Sequence, residues 1–105
     1  MERLRLVVLV DMPTQTRYER KLERELRELL FQDGFSCLQQ GVYTRMAESR
    51  KSARTHKRML RKHCPKSGII RLFVMTEAQF AQSSLLAGDD DQQEIEIGAQ
   101  LDVFL

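Results

Sequence analysis

The side chain best placed to do chemistry is Asp11. It ends the apolar run Leu4 to Val10 and precedes Met12-Pro13, so a carboxylate emerges where a buried strand leaves its sheet. One carboxylate makes a poor Mg2+ site, because that ion takes one or two carboxylates together with waters and substrate phosphate. A two-fold axis would supply the second by setting Asp11 of two identical chains near each other. Two close like charges favour a shared proton or a bridging cation. A cation held in that way would activate water and neutralise anionic oxygens. Read alone, Asp11 is better taken as a strand-end carboxylate making a turn hydrogen bond before Met12-Pro13.

Charge distribution is the second chemical feature. Residues 1–44 hold seven basic and seven acidic groups, and residues 72–105 hold seven acidic groups and no basic one. Between them, residues 45–71 hold ten basic groups against Glu48 alone. A basic middle of this kind points to a polyanion partner. Arg45, Arg50, Lys51, Arg54, Lys57, Arg58, Arg61 and Lys62 are the candidate nucleic-acid contacts. Those on the helix wind around most of its circumference, which suits phosphate contacts made without reading bases. A plain solvated face is the weaker reading, since acidic partners are missing nearby. Arg17, Arg20, Lys21, Arg24 and Arg27 differ in being interleaved with Glu19, Glu23, Glu25 and Glu28, as on a solvated helix with i,i+4 pairs.

Other reactive types carry less. Lone helical histidines are more often packed or solvated than ligating, so neither His56 nor His63 is given a catalytic role. Cys37 and Cys64 have no metal-ligand spacing and read as small apolar residues. Asp89-Asp90-Asp91 lacks the Gly and terminal Glu of a calcium loop and reads as a linker.

The elements that position these groups follow from pattern. Thr16 and Glu19 have capping-box spacing, and Tyr18, Leu22, Leu26, Leu29 and Leu30 recur helically until Asp33-Gly34 stops them. Phe35 to Leu38 and Val42 to Met46 read as short strands around Gln39-Gln40-Gly41, a hairpin or a bulged, bent pair. Ser49 or Ser52 caps a second helix running to about Lys62, with a thin stripe of Ala53, His56, Met59, Leu60 and Cys64. Pro65 to Gly68 form the turn into a strand from Ile69 to Met75. Tyr18, Phe35, Tyr43, Phe73 and Phe80 read as core or interface aromatics, with Tyr43 alternatively approaching a substrate. The order predicts an α+β fold, a ferredoxin-like βαββαβ sandwich over residues 1–80. A short helical turn is expected around Glu77 to Phe80, and residues 81–105 read as an acidic connector and an extra C-terminal strand in Leu101, Val103, Phe104 and Leu105. That strand is expected to pair with a partner's sheet edge.

A chain of 105 residues fits one domain, and 42% hydrophobic with 30% charged residues fits a soluble globular protein. So small a core makes homodimer pairing a plausible source of extra stability. Leu6 to Val10 is too short for a targeting core and no stretch has membrane-spanning length, so no membrane association is expected. With two cysteines and no signal peptide, reduced thiols and a cytoplasmic location are expected.

Topology alone decides no function. The motifs Leu-Val-Val-Leu-Val-Asp-Met-Pro at 6–13, Gly34-Phe35 followed by Leu38-Gln39, Val42-Tyr43-Thr44-Arg45, and Val74-Met75-Thr76-Glu77-Ala78-Gln79-Phe80 carry more. Together they resemble the CRISPR-associated protein 2 family, and Val103-Phe104-Leu105 with its connector resembles the type II versions. The resemblance covers about Leu4 to Phe80 and, more loosely, the tail. Where that family often has Ser before the Val-Tyr pair, this chain has Gly41 and lacks the hydroxyl.

The resemblance implies a homodimer between two dimers of the CRISPR integrase large subunit, together capturing double-stranded DNA for spacer acquisition. It also assigns Asp11 to a Mg2+ (or Mn2+) ion shared across the dimer, in an endonuclease site acting on RNA or DNA and dispensable for integration. Three other readings compete. One is a stand-alone Mg2+-dependent endoribonuclease or DNase. Another is an RNA-binding module of RRM type, whose stacking aromatic run the strands here lack. The last is a small-ligand regulatory domain, which leaves the basic helix unexplained.

Overall fold

Segments rich in β-branched and other apolar residues favour extended backbone, and two of them, rich in Val and in Ile with Phe, form the long strands of one four-stranded antiparallel sheet. The computed structural model describes residues 3–88. In chain order the elements are β1 (Leu4–Asp11), α1 (Arg17–Gln32), β2 (Ser36–Gln39), β3 (Val42–Ala47), α2 (Arg50–His63), β4 (Ile69–Thr76) and the short α3 (Glu77–Phe80). Strands run in the order β2-β3-β1-β4, so β1 is central and β4 lies at an edge of the described sheet. This is the ferredoxin-like arrangement of the α+β class. The C-terminal strand expected at Leu101–Leu105 and the acidic run Asp89–Asp91 lie outside the described residues.

Register settles which face each residue serves. Leu4, Leu6 and Val8 of β1 stand opposite Ala47, Arg45 and Tyr43 of β3 and Thr76, Val74 and Leu72 of β4. Leu6 and Val8 pack with Leu26, Leu30, Phe35, Tyr43, Ala53 and Leu60 in one core between the sheet and the two long helices. Arg5, Val7, Leu9 and Asp11 alternate onto the other face. Thr44, also on that face, is fully buried, and its hydroxyl donates to the Leu6 carbonyl at 2.8 Å. A bulge between Cys37 and Gln39 gives the bent β2–β3 pair expected from Gln39-Gln40-Gly41.

Both helix starts are as the sequence marks them. Thr16 Oγ1 accepts from the Glu19 amide at 3.0 Å, and Glu19 Oε1 accepts from the Thr16 amide at 2.9 Å. Losing this cap should cost about 1 kcal/mol, so Thr16→Ala is expected to lower the urea midpoint with an unchanged slope. Of the two candidate serines, Ser49 caps α2, accepting from the Ser52 amide at 3.1 Å.

The apolar stripe of α1 engages progressively. Leu26 and Leu30 are buried, Leu22 is half-buried, and Tyr18 is 66% exposed. Tyr18 is therefore no core residue of the single chain, because the first turn of α1 stands off the sheet. Among the other aromatics, Phe35, Tyr43 and Phe80 are buried, while Phe73 faces outward.

Candidate metal and nucleic-acid sites

Asp11 is exposed at the last position of β1, opposite Ile69 of β4. Alternation places it on the sheet face away from the long helices, in line with Leu9, Val7 and Arg5. At the other end of that line α3 folds over the sheet. Arg5 makes a bidentate pair with Glu77 at 2.7 and 2.9 Å, and its guanidinium lies 4.6 Å from the centroid of the Phe80 ring. The Asp11 end of the face is more open. Leu9 is 38% exposed, Ile69 61% and Phe73 44%, leaving an apolar surface beside the carboxylate.

A carboxylate oxygen is the right donor for Mg2+, but no group of three His, Cys, Asp or Glu side chains is gathered among the described residues. A single chain therefore fits the ion with one ligand. A second Asp11 from a two-fold-related chain, with waters and substrate phosphate, would be needed to hold it.

Arg50, Lys51, Arg54, Lys57, Arg58, Arg61 and Lys62 are all exposed along α2. None of them takes part in an ion pair among the described residues. The last turn also places Arg61 and Lys62 where the helix dipole favours cations. By contrast, α1 does hold internal pairs, with Arg27 to Glu23 at 2.9 Å and Lys21 to Glu25 at 4.0 Å.

One further cation joins α2 through the tertiary fold. Between α2 and β4 runs a groove of about 470 Å3, floored by Leu60, Ile70 and Leu72 and lined by Lys57, Arg61 and Lys66. Lys66 lies outside the helix, so helical periodicity gave no reason to group it with α2, and the turn after the helix brings it there. Arg71 borders the groove on the edge strand, but it stands opposite Leu9 in register and alternates onto the Asp11 face. Lys66 Nζ also donates to the Arg61 carbonyl at 3.2 Å.

Arg45 is placed differently from the other candidate contacts. It lies on the helix-facing side of β3, where Nη1 donates to the Asp33 carbonyl and Nε to the Met46 carbonyl at 3.0 Å. The structure thus gathers Arg50 to Lys62 on one helix and keeps Arg45 apart, at the end of α1. Asp33 meets α2 as well: His56 Nδ1 lies 2.7 Å from Asp33 Oδ2, and both side chains are largely buried. His56 therefore ties the middle of the cationic helix to α1, a packing role consistent with its place in the apolar stripe. His63 is exposed.

Tyr43 belongs to the core. It is buried, with Phe31 edge-on at a centroid distance of 5.9 Å. Burial pushes its phenol pKa up, Cys37 and Glu23 add to the rise, and Arg27 opposes it. Cys37 Sγ donates to the Gln39 carbonyl at 3.2 Å, and Cys64 lines the groove beside α2. No helix among the described residues is long and apolar enough to cross a membrane.

Fold and surfaces together define a small ferredoxin-like protein with a strand-end carboxylate on its more open sheet face and a cationic helix on the other. No protein-family model matches the sequence. Individual relatives do. A protein of Flavobacterium psychrophilum named CRISPR-associated endoribonuclease Cas2 is 36% identical over 99 residues, 94% of this chain and 86% of the relative. Proteins of the same name from Streptococcus mutans serotype c and Ligilactobacillus salivarius are 35% and 32% identical. Those matches cover 84% and 81% of this chain, and 81% and 84% of the respective relatives. The chain belongs to the Cas2 family.

Proposed function

We propose that this protein is a dimeric scaffold of CRISPR spacer acquisition, which holds double-stranded DNA between subunits of the integrase in the cytoplasm. The observation that carries the DNA-holding part is α2, with seven exposed cations that make no ion pair among the described residues. Phosphates would replace the missing carboxylate partners, and their spacing along a duplex is independent of sequence. Support for the dimer comes from the apolar patch of Leu9, Ile69 and Phe73, too hydrophobic to sit idle beside a carboxylate.

A second reading is a metal-dependent endonuclease cutting RNA or DNA: the relatives' name, endoribonuclease, favours the cleavage of RNA, and the exposed Asp11 carboxylate favours the metal. In a dimer stacked on the open sheet faces, the two Asp11 carboxylates would hold one Mg2+ or Mn2+ ion. That ion would polarise a phosphodiester and activate water. The residues of this chain then bind and orient: Asp11 supplies an oxygen ligand, and the basic surface of α2 and its groove neutralises the nucleic-acid backbone. The two readings are compatible, since one uses a helix face and the other a strand end.

Duplex affinity as a function of salt tests the first. With Z phosphates contacted, log K should fall linearly against log salt with a slope of about −0.9Z. Replacing Arg54, Arg58 and Arg61 together by Ala is expected to flatten that slope by about three contacts' worth and to weaken all duplex sequences alike. A slope near zero in the wild type would rule out the phosphate-holding role.

A further inference from the structure

The backbone on either side of Asp11 is met by glycines whose missing side chains make the close approach workable. Gly68, in the turn into β4, has φ +62°, and a Cβ there would stand 2.3 Å from the Asp11 carbonyl oxygen and 2.8 Å from Met12 Cα. Gly41, in the β2–β3 turn, has φ +80°, and its Cβ would stand 2.9 Å from the Val10 carbonyl oxygen. Gly41 also accepts from the Val10 amide at 2.7 Å. Because β1 runs between β3 and β4, these contacts bracket its last two residues from opposite sides.

We infer that Gly68, assisted by Gly41, is a positioning residue that sets where the Asp11 carboxylate leaves the sheet. The inference rests on the reading of Asp11 as a metal ligand shared across the dimer. A turn that needs positive φ explains a glycine by itself, but it does not explain what surrounds this one. Gly34 also has positive φ, at +91°, yet its Cβ would approach only the movable guanidinium of Arg45. At Gly88, φ +113°, the nearest atom is a Leu85 methyl at 4.0 Å. Among the glycines of the described residues, only Gly41 and Gly68 abut fixed backbone, and both abut the end of β1.

The geometric consequence is large for a shared ion. Opening the 2.3 Å approach at Gly68 to about 3 Å shifts the Asp11–Met12 backbone or the turn by roughly 0.7 Å. In a two-fold dimer both carboxylates move, so their separation changes by up to about twice the shift. Mg2+ holds oxygen ligands within about 2.0–2.1 Å and in near-octahedral array, and it tolerates little such change.

The test compares the full-length dimer as wild type, Gly68→Ala, Gly34→Ala and Asp11→Ala, with folding checked by circular dichroism. Mn2+ affinity is read by titration calorimetry, and nuclease cleavage is followed across metal concentrations. Gly68→Ala is expected to weaken Mn2+ binding by roughly 10–100-fold, as loss of support to a ligand typically does. Its cleavage should recover partly at high metal, a response that Asp11→Ala lacks. Gly34→Ala, likewise at a positive φ but at the far end of α1, should bind Mn2+ like the wild type. If Gly68→Ala does not fold, the milder Gly41→Ala takes its place and should shift Mn2+ affinity in the same direction. Wild-type Mn2+ affinity in the folded glycine variant, with Asp11→Ala deficient, would overturn the positioning role and leave the ligand assignment standing. Unchanged Mn2+ binding in Asp11→Ala would overturn that assignment and the inference with it.

Discussion

Metal-dependent cleavage of RNA or duplex DNA is expected to fall roughly 10²–10⁴-fold in Asp11→Ala, the range typical for losing a group that acts directly in the chemistry. Duplex binding should survive the same substitution. The separation follows from placement. Asp11 lies at the end of β1 on the sheet face away from the helices, whereas the cations of α2 lie on the helical side. Stability should also hold within about 0.5 kcal/mol, since the residue is exposed and makes no hydrogen bond or ion pair among the described residues. Cleavage assays with Mg2+ and Mn2+, run beside gel-shift binding on the same preparations, decide the matter. Lost cleavage with retained binding makes Asp11 catalytic. Binding without cleavage in both proteins leaves the scaffold role alone.

Leu30→Ala should be among the most damaging single truncations of the core described above. Leu30 is fully buried, and it packs in the cluster with Leu6, Val8, Leu26 and Phe35. Removing three carbons from such a site costs about 2–5 kcal/mol, because the cavity left behind collapses only in part. Against a total of about 5–15 kcal/mol for a small domain, that loss is a large share. Urea unfolding at fixed protein concentration should show a much lower midpoint and an unchanged slope. Tyr18→Ala, on the same helix but with its ring in solvent, should change stability by no more than about 0.5 kcal/mol. A Leu30→Ala loss below 1 kcal/mol would mean that the C-terminal half of α1 is not part of the cooperative core.

Where local chemistry decided structure, the sequence was readable. The Thr16–Glu19 capping box, the Asp33-Gly34 stop, the bulged turn at Gln39-Gln40-Gly41 and the Pro65–Gly68 turn all depend on a few adjacent residues, and all are found. Element ends moved by a residue or so. β2 begins at Ser36 and reaches Gln39, and α2 extends to His63. Such shifts are ordinary, because end residues answer to neighbours distant in the chain. Tyr18, read as a core or interface aromatic, stays outside the core of the single chain for a related reason. Helical spacing gives the side of a helix, but not the point along its axis at which it meets the sheet.

By itself, the sequence determined the order of elements, the central apolar strand ending in Asp11, and the concentration of cations on one helix. These are properties of local propensity, capping and composition, which act over a few residues. Only the tertiary structure decided that Arg45 turns inward to Asp33, that Lys66 joins Lys57 and Arg61 around one groove, and that His56 anchors α2. It alone set Gly41 and Gly68 against the backbone at Val10 and Asp11. Each of these depends on strand register and on the way helices lie across the sheet, which bring together residues far apart in the chain. Spacing along the chain carries no measure of those distances.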